Sequence, residues 1–187
     1  ALPSIDRNHS RFQVVLMSYR LPRMFIAAGV LLGVGLGGFV DGIVLHQILQ
    51  WHNMLTAEGS FPPTSVDGLK DNTLWDGLFH AFTWLATAAG LGLLWNSVPV
   101  HRRGWGQVLV GLLAFGWGLF NVVEGVVDHQ ILGIHHVRDD VSDKLPWDMA
   151  FLGMGTTLMA AGYGIARGGI RRANCETDEP SREYGGR

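Results

Sequence analysis

Residues 41–52, Asp-Gly-Ile-Val-Leu-His-Gln-Ile-Leu-Gln-Trp-His, form a motif that occurs twice in this chain. The second copy is residues 124–135, Glu-Gly-Val-Val-Asp-His-Gln-Ile-Leu-Gly-Ile-His. Both copies begin with a carboxylate and carry two histidines at the same spacing. Both also lie within apolar segments, where carboxylates and imidazoles are costly to bury. Two matched polar sets in such surroundings indicate a shared functional site.

The composition of the whole chain favours a membrane protein. Of its 187 residues, 48% are hydrophobic and 16% are charged, whereas about a quarter of the residues in a soluble domain are charged. The net charge of −2 gives no indication of nucleic-acid binding, so we expect a lipid bilayer rather than a nucleic acid as partner. The single cysteine, Cys175, excludes an internal disulfide and a Cys-x-x-Cys metal site.

Four apolar segments are long enough to cross a bilayer. The sequence places them at 24–49, 78–95, 107–134 and 149–166, with polar or charged connections at 53–74, 96–106 and 137–146. We therefore predict an all-α, integral membrane four-helix bundle. Its parts are a polar, basic segment at 1–23, a membrane domain at 24–166 and a polar tail at 167–187.

The charges of the connecting segments predict the orientation of the bundle. The N-terminal segment, the 96–106 turn and the C-terminal tail are basic, whereas the loops at 53–74 and 137–146 are net acidic. Because lysine and arginine are enriched on the cytoplasmic side, both termini are predicted to be cytoplasmic.

The duplication extends beyond the motif. Trp75 and Asp76 open the second span, and Trp147 and Asp148 open the fourth, so both aspartates are also candidate helix N-caps. We predict two tandem two-helix repeats, 24–95 and 107–166, related by a pseudo-twofold axis along the membrane normal. Equivalent residues of the first and third spans then face each other across the centre. Glycines at every fourth position of the first span predict close packing against a neighbouring helix: Gly29, Gly33 and Gly37.

Ionisable residues collect in the outer half of the predicted bundle. Histidine and carboxylate ligands without thiolate suit Fe, Zn, Mn or Cu(II), and a cation offsets the cost of burying a carboxylate. The predicted innermost ligands are His46, His80, His129 and Glu124, with Asp41 close by. The remaining candidates are predicted as ligands or as residues that orient them: His52, Asp76, His135, His136 and Asp148.

An ideal helix does not bring all of these side chains together. With about 100° and 1.5 Å per residue, His46 lies about 140° from Asp41. His52 shares the face of Asp41 but lies about 16 Å along the axis. A site that includes all three therefore requires a distortion near a glycine, or ligands from several helices.

The reaction remains open at the level of the sequence. A metal centre of this kind suits an oxidoreductase or a metal-dependent hydrolase. The alternatives are a haem b cytochrome with His46 and His129 as axial ligands, a metal or proton transporter, and an accessory subunit of a respiratory complex. A homo-oligomer or a larger membrane complex is compatible with the glycine-rich helix faces.

The repeated motif, the two Trp-Asp pairs and the four spans resemble a family of small bacterial membrane proteins known as predicted membrane proteins of unknown function. The resemblance covers about residues 20–170. It implies a location in the bacterial inner membrane and implies no particular activity.

Overall fold

The computed structural model describes residues 21–97 and 104–177, and these ranges are helical without any strand. Predictions that concern residues 1–20, 98–103 and 178–187 lie outside the described residues. The helices are α1 (Arg23–Val40), α2 (Val66–Ser97), α3 (Trp105–Glu124) and α4 (Leu145–Thr177). A π-helix directly continues α1 at Asp41–Ile48, and another continues α3 at Gly125–Leu132. Within the described ranges, four helical stretches are long and apolar enough to cross a membrane, which confirms the predicted number of spans.

The helices α1 and α3 form the central pair. Helix α1 packs against α2 and α3, and α3 packs against α4 as well. The glycine stripe of α1 lies against α3, as predicted, because a Cβ atom at Gly33 would overlap the carbonyl oxygen of Leu113. Among the described residues, α1 does not pack against α4, nor α2 against α3. The two motif copies, which continue the central helices, therefore lie next to each other.

Two helices are longer than their apolar segments predict. Helix α2 begins at Val66 rather than near residue 78, and α4 continues to Thr177 rather than ending near 166. The Ser65 hydroxyl accepts the amide hydrogen of Gly68 at 3.0 Å, so a serine outside the apolar run begins α2. Asp76 consequently lies inside α2, and its prediction as a helix N-cap is wrong. Hydropathy detects the part of a helix that contacts lipid but not a polar extension of it.

The two π-helices supply the distortion that the motif requires. In a π-helix the backbone bonds join residues five apart, as in the 2.8 Å bond from the Leu49 amide to the Val44 carbonyl. Residues five apart therefore lie above one another, which brings His46 over Asp41. Each motif also has a glycine beside its carboxylate. A Cβ at Gly42 would lie 2.7 Å from His80 Nε2, and one at Gly125 would lie 2.8 Å from Leu152 Cδ2.

The chain reverses after each π-helix. The turn residues Gln50 and Gly133 have φ angles of 51° and 60°, in the left-handed region. His52 is therefore not on the helix of Asp41, and the axial offset predicted for an ideal helix is wrong. The chain folds back instead, and the ring centroids of His46 and His52 lie 4.4 Å apart.

Candidate metal centre

Two overlapping groups of side chains have metal-ligand geometry. The first ligand set is Asp41, His46, His52 and Glu124, and the second is Glu124, His129 and His135. Within each set, the ligand atoms lie within 4.8 Å of one another. Opposite ligands on one ion with bonds of about 2.1 Å lie about 4.2 Å apart, so little rearrangement is needed. The first set combines residues from both motif copies, and the second set comes entirely from the second copy. Glu124 belongs to both sets.

The ligand sets contain an unusual concentration of unsatisfied polar atoms. In the described part of the chain, nine of the eleven buried side-chain atoms without a hydrogen-bond partner belong to these six residues. All six residues are at most 5% exposed. A buried polar atom without a partner costs roughly 1–3 kcal/mol, and a charged one costs more. Cations in the centre would provide a partner for most of these atoms.

Close contacts connect imidazole and carboxylate groups within each set. His46 Nε2 lies 3.1 Å from Asp41 Oδ2, and His135 Nε2 lies 3.5 Å from Glu124 Oε1. Two ligands at right angles on one ion are about 3.0 Å apart. These contacts therefore have the spacing of neighbouring ligands around a metal.

Backbone carbonyl groups fix the rings of the two histidines in the loops. His52 Nδ1 donates to the carbonyl of Val137 at 3.0 Å, and His135 Nδ1 donates to the carbonyl of Met54 at 3.2 Å. Each loop thus holds the histidine of the other loop. Because a carbonyl can only accept, both rings carry their proton on Nδ1, and Nε2 keeps a lone pair directed into the centre.

Aspartates support the two histidines of the π-helices. His46 Nδ1 lies 3.0 Å from Asp76 Oδ1, and His129 Nδ1 lies 3.5 Å from Asp148 Oδ1. Both aspartates are nearly completely buried. A carboxylate behind a ligating imidazole orients the ring and increases its basicity, as in many metal sites.

The two loop histidines are neutral at ordinary pH. Burial lowers the pKa of His52 to about 4, and His46 nearby lowers it further in the same direction. Burial also holds the pKa of His135 well below its usual value. A neutral imidazole has the free lone pair that metal ligation requires, so these rings are ready to bind a cation.

The two loops that follow the π-helices cover the centre. The amide of Ala57 donates to the carbonyl of Ile134 at 3.0 Å, which connects the two loops directly. Above them, the Arg138 guanidinium carbon lies 4.9 Å from the ring centroids of both Trp51 and Trp147. This cation–π arrangement joins the loops to the beginning of α4 and shields the centre from water.

The structure brings most of the predicted site residues together, but two histidines lie outside both ligand sets. His80 Nδ1 bonds the carbonyl of Asp76 in its own helix at 2.7 Å. His136 Nδ1 contacts Asp148 Oδ2 at 2.7 Å, and its side chain is 26% exposed. Ligation by His80, which was expected among the innermost ligands, has no support in this geometry.

Three positions at or near the candidate centre are not predicted by the sequence. Met54 and Val137 contribute only backbone carbonyl groups, which no side-chain pattern reveals. Asn121, 1% exposed on α3, has a side-chain nitrogen without a partner. The sequence could have identified Asn121, because a polar amide is costly to bury within a membrane span and such residues are often functional.

Replacing Asp76 with Asn is expected to weaken metal binding by about 10–100-fold, the usual effect of removing a group that orients a ligand. Asp76 holds His46 and also accepts bonds from Asn53 Nδ2 at 2.7 Å and the Met54 amide at 2.9 Å. Chelator competition on the purified protein measures the change. Asp67→Asn, an exposed change on the same helix, is the control. Equal affinity in the two variants contradicts a supporting role for Asp76.

A buried histidine and carboxylate cluster between four apolar helices defines the class: an all-helical membrane protein with a candidate metal centre. The chain belongs to the family described as predicted membrane protein (DUF2243), whose model matches residues 28–169. This confirms the resemblance inferred from the motifs. Searches among curated proteins and among solved structures found no match.

Proposed function

We propose that this chain is a membrane metalloprotein with two adjacent metal sites that share Glu124. The observation that carries the proposal is the overlap of the two ligand sets at this one carboxylate. A glutamate has two oxygens and can bind two cations at once, as carboxylates do in two-metal centres. Two histidines then complete each site, with Asp41 as an additional ligand in the first.

The proposal includes the tandem repeat and the orientation. Each motif copy supplies one carboxylate and two histidines, so two repeats, 24–95 and 107–166, contribute equally to one centre. The acidic loops that cover the centre and the basic charge of the other segments support an outward-facing site with both termini in the cytoplasm. In a bacterial inner membrane, the centre faces the outside of the cell. Association with a second copy or a larger complex stays a prediction.

The enclosure of the centre favours redox chemistry over hydrolysis. The six ligand residues are at most 5% exposed, and the loops cover them on the outer side. Hydrolysis requires a path for water, whereas electrons reach a buried metal without one. With imidazole and carboxylate ligands and no thiolate, iron, manganese and copper are the redox metals that fit, and zinc is the redox-inert alternative.

The packing of the rings argues against haem. The ring of His52 lies 4.4 Å from that of His46 and 6.4 Å from that of His129. The ring of His135 lies 6.0 Å from His46 and 4.9 Å from His129. Both rings thus occupy the region that a macrocycle held by His46 and His129 would need. A bare metal centre requires no such displacement.

The polarity of the spans argues against transport. From α1 to α3, Arg23 at the first position of α1 is the only ionisable residue on the cytoplasmic side of Asp41, His80 and Glu124 within the helices that the structure describes. Ions and protons need polar groups to cross the bilayer core. The centre therefore has the arrangement of a fixed site on one side of the membrane.

Metal analysis of protein purified without chelator tests the proposal. We expect about two equivalents of transition metal in the wild type and nearly none in His46→Ala/His129→Ala, because one ligand is lost from each set. His80→Ala is the matched control, since His80 lies close to the centre but outside both sets. A metal-free wild type contradicts the proposal. Loss of metal in the His80 variant contradicts the ligand assignment.

A further inference from the structure

Two clefts open toward the lipid where neighbouring helices do not pack. One lies between α1 and α4 and has a volume of about 240 Å³; we call it the Asn121 cleft. The other lies between α2 and α3, has a volume of about 390 Å³, and we call it the Asp128 cleft. Each reaches one carboxylate of the metal centre, Asp41 in the first and Glu124 in the second. The clefts are therefore routes from the bilayer to the proposed site.

The Asn121 cleft has the features of a built binding site. Its walls are apolar and rich in aromatic rings, which favours a flat ring compound over an acyl chain. The amide nitrogen of Asn121 is buried and has no hydrogen-bond partner, and neither oxygen of Asp41 accepts a hydrogen bond, although Asp41 Oδ2 lies 3.1 Å from His46 Nε2. The residues that carry this argument are Asp41, Trp51, Trp117, Asn121, Trp147 and Phe151.

The polar atoms of this cleft indicate the ligand chemistry. An amide N–H without a partner requires an acceptor oxygen, and a carboxylate at the same site accepts a hydroxyl hydrogen. The cleft holds one ring, while Val40 and Met154 at its mouth are 41% and 47% exposed to the lipid phase. A long apolar tail can therefore remain in the bilayer.

We propose that the Asn121 cleft binds the ring of a lipid-soluble quinone or quinol, with a ring oxygen on Asn121 and the tail in the membrane. The ring would then lie beside Asp41, and any reaction of the ring at the metal centre rests on the proposed function. Binding itself does not depend on a metal. The Asp128 cleft has no equivalent amide, because Gly38 occupies the matching position of α1.

Binding of decylubiquinone to the protein in phosphatidylcholine nanodiscs provides the test. Three tryptophans line the cleft, so we expect saturable quenching of tryptophan fluorescence. Asn121→Leu, which removes the donor at similar volume, is expected to weaken binding by about 3–10-fold. Ala150→Phe fills the cleft and is expected to abolish the saturable component. Leu78→Phe makes the corresponding change after the first Trp-Asp pair, and we expect it to bind as the wild type does.

Three outcomes overturn this inference. Quenching that rises in simple proportion to quinone shows partition into lipid only. If Asn121→Leu and Ala150→Phe both bind quinone with the affinity of the wild type, quinone binds elsewhere. Competition by decylbenzene, which has the tail and ring but no oxygen, identifies a groove for apolar chains. The metal content of the same preparations separates the two proposals. A wild type that contains metal but shows no saturable quinone binding contradicts this inference alone. A wild type that binds quinone saturably but contains no metal contradicts the proposed function alone.

Discussion

Replacing Glu124 with Gln is expected to empty both metal sites, because Glu124 is the only residue in both ligand sets. The amide keeps the shape of the side chain but loses the charge and one acceptor oxygen, so it cannot bridge two cations. We expect affinity to fall by more than about 100-fold, beyond the effect of losing a group that only orients a ligand. Metal stoichiometry and chelator competition on the purified variant measure this.

Two variants make this experiment specific. Asp41→Asn changes a ligand of the first set alone, so about one equivalent of metal should remain. Asp128→Asn makes the same chemical change in the next turn, outside both sets, and should keep two equivalents. Full metal in Glu124→Gln, or equal losses in Glu124→Gln and Asp128→Asn, would show that no carboxylate is shared.

Removing the metal is expected to lower the thermal unfolding temperature by about 10 °C. A ligand that binds only the folded state contributes about 4 kcal/mol at a free concentration about 1,000 times its dissociation constant. For a chain of this size, each kcal/mol corresponds to about 2–4 °C. The physical origin is the set of buried nitrogen and oxygen atoms that the protein itself leaves without partners. Circular dichroism at increasing metal concentration records the shift.

The His46→Ala/His129→Ala variant is the control for this measurement. It lacks one ligand of each set, so its unfolding temperature should not depend on the metal concentration. If wild type and variant respond to metal equally, the stabilising ion binds elsewhere. If neither responds, the buried polar atoms are satisfied by something other than a cation, and the metal proposal fails.

The sequence by itself predicted the number of candidate spans and the residues of the candidate centre. The thickness of the bilayer core fixes the length of an apolar run, so four such runs predict four crossings. The duplicated pattern of carboxylates and histidines indicates a functional site because each such residue is costly to bury in a membrane span. All six members of the two ligand sets were among the candidates on these grounds.

Only the tertiary structure decided how these residues meet. The π-helices replace the spacing of an α-helix, and the left-handed residues Gln50 and Gly133 bring His52 and His135 back over the bundle. The structure also leaves His80 outside both ligand sets, which its position in the sequence does not reveal. These outcomes depend on close contacts between helices and on carbonyl groups of the opposite loop, which no local pattern of residues encodes. A sequence specifies which groups are costly to bury, whereas packing determines which of them lie within ligand distance of one another.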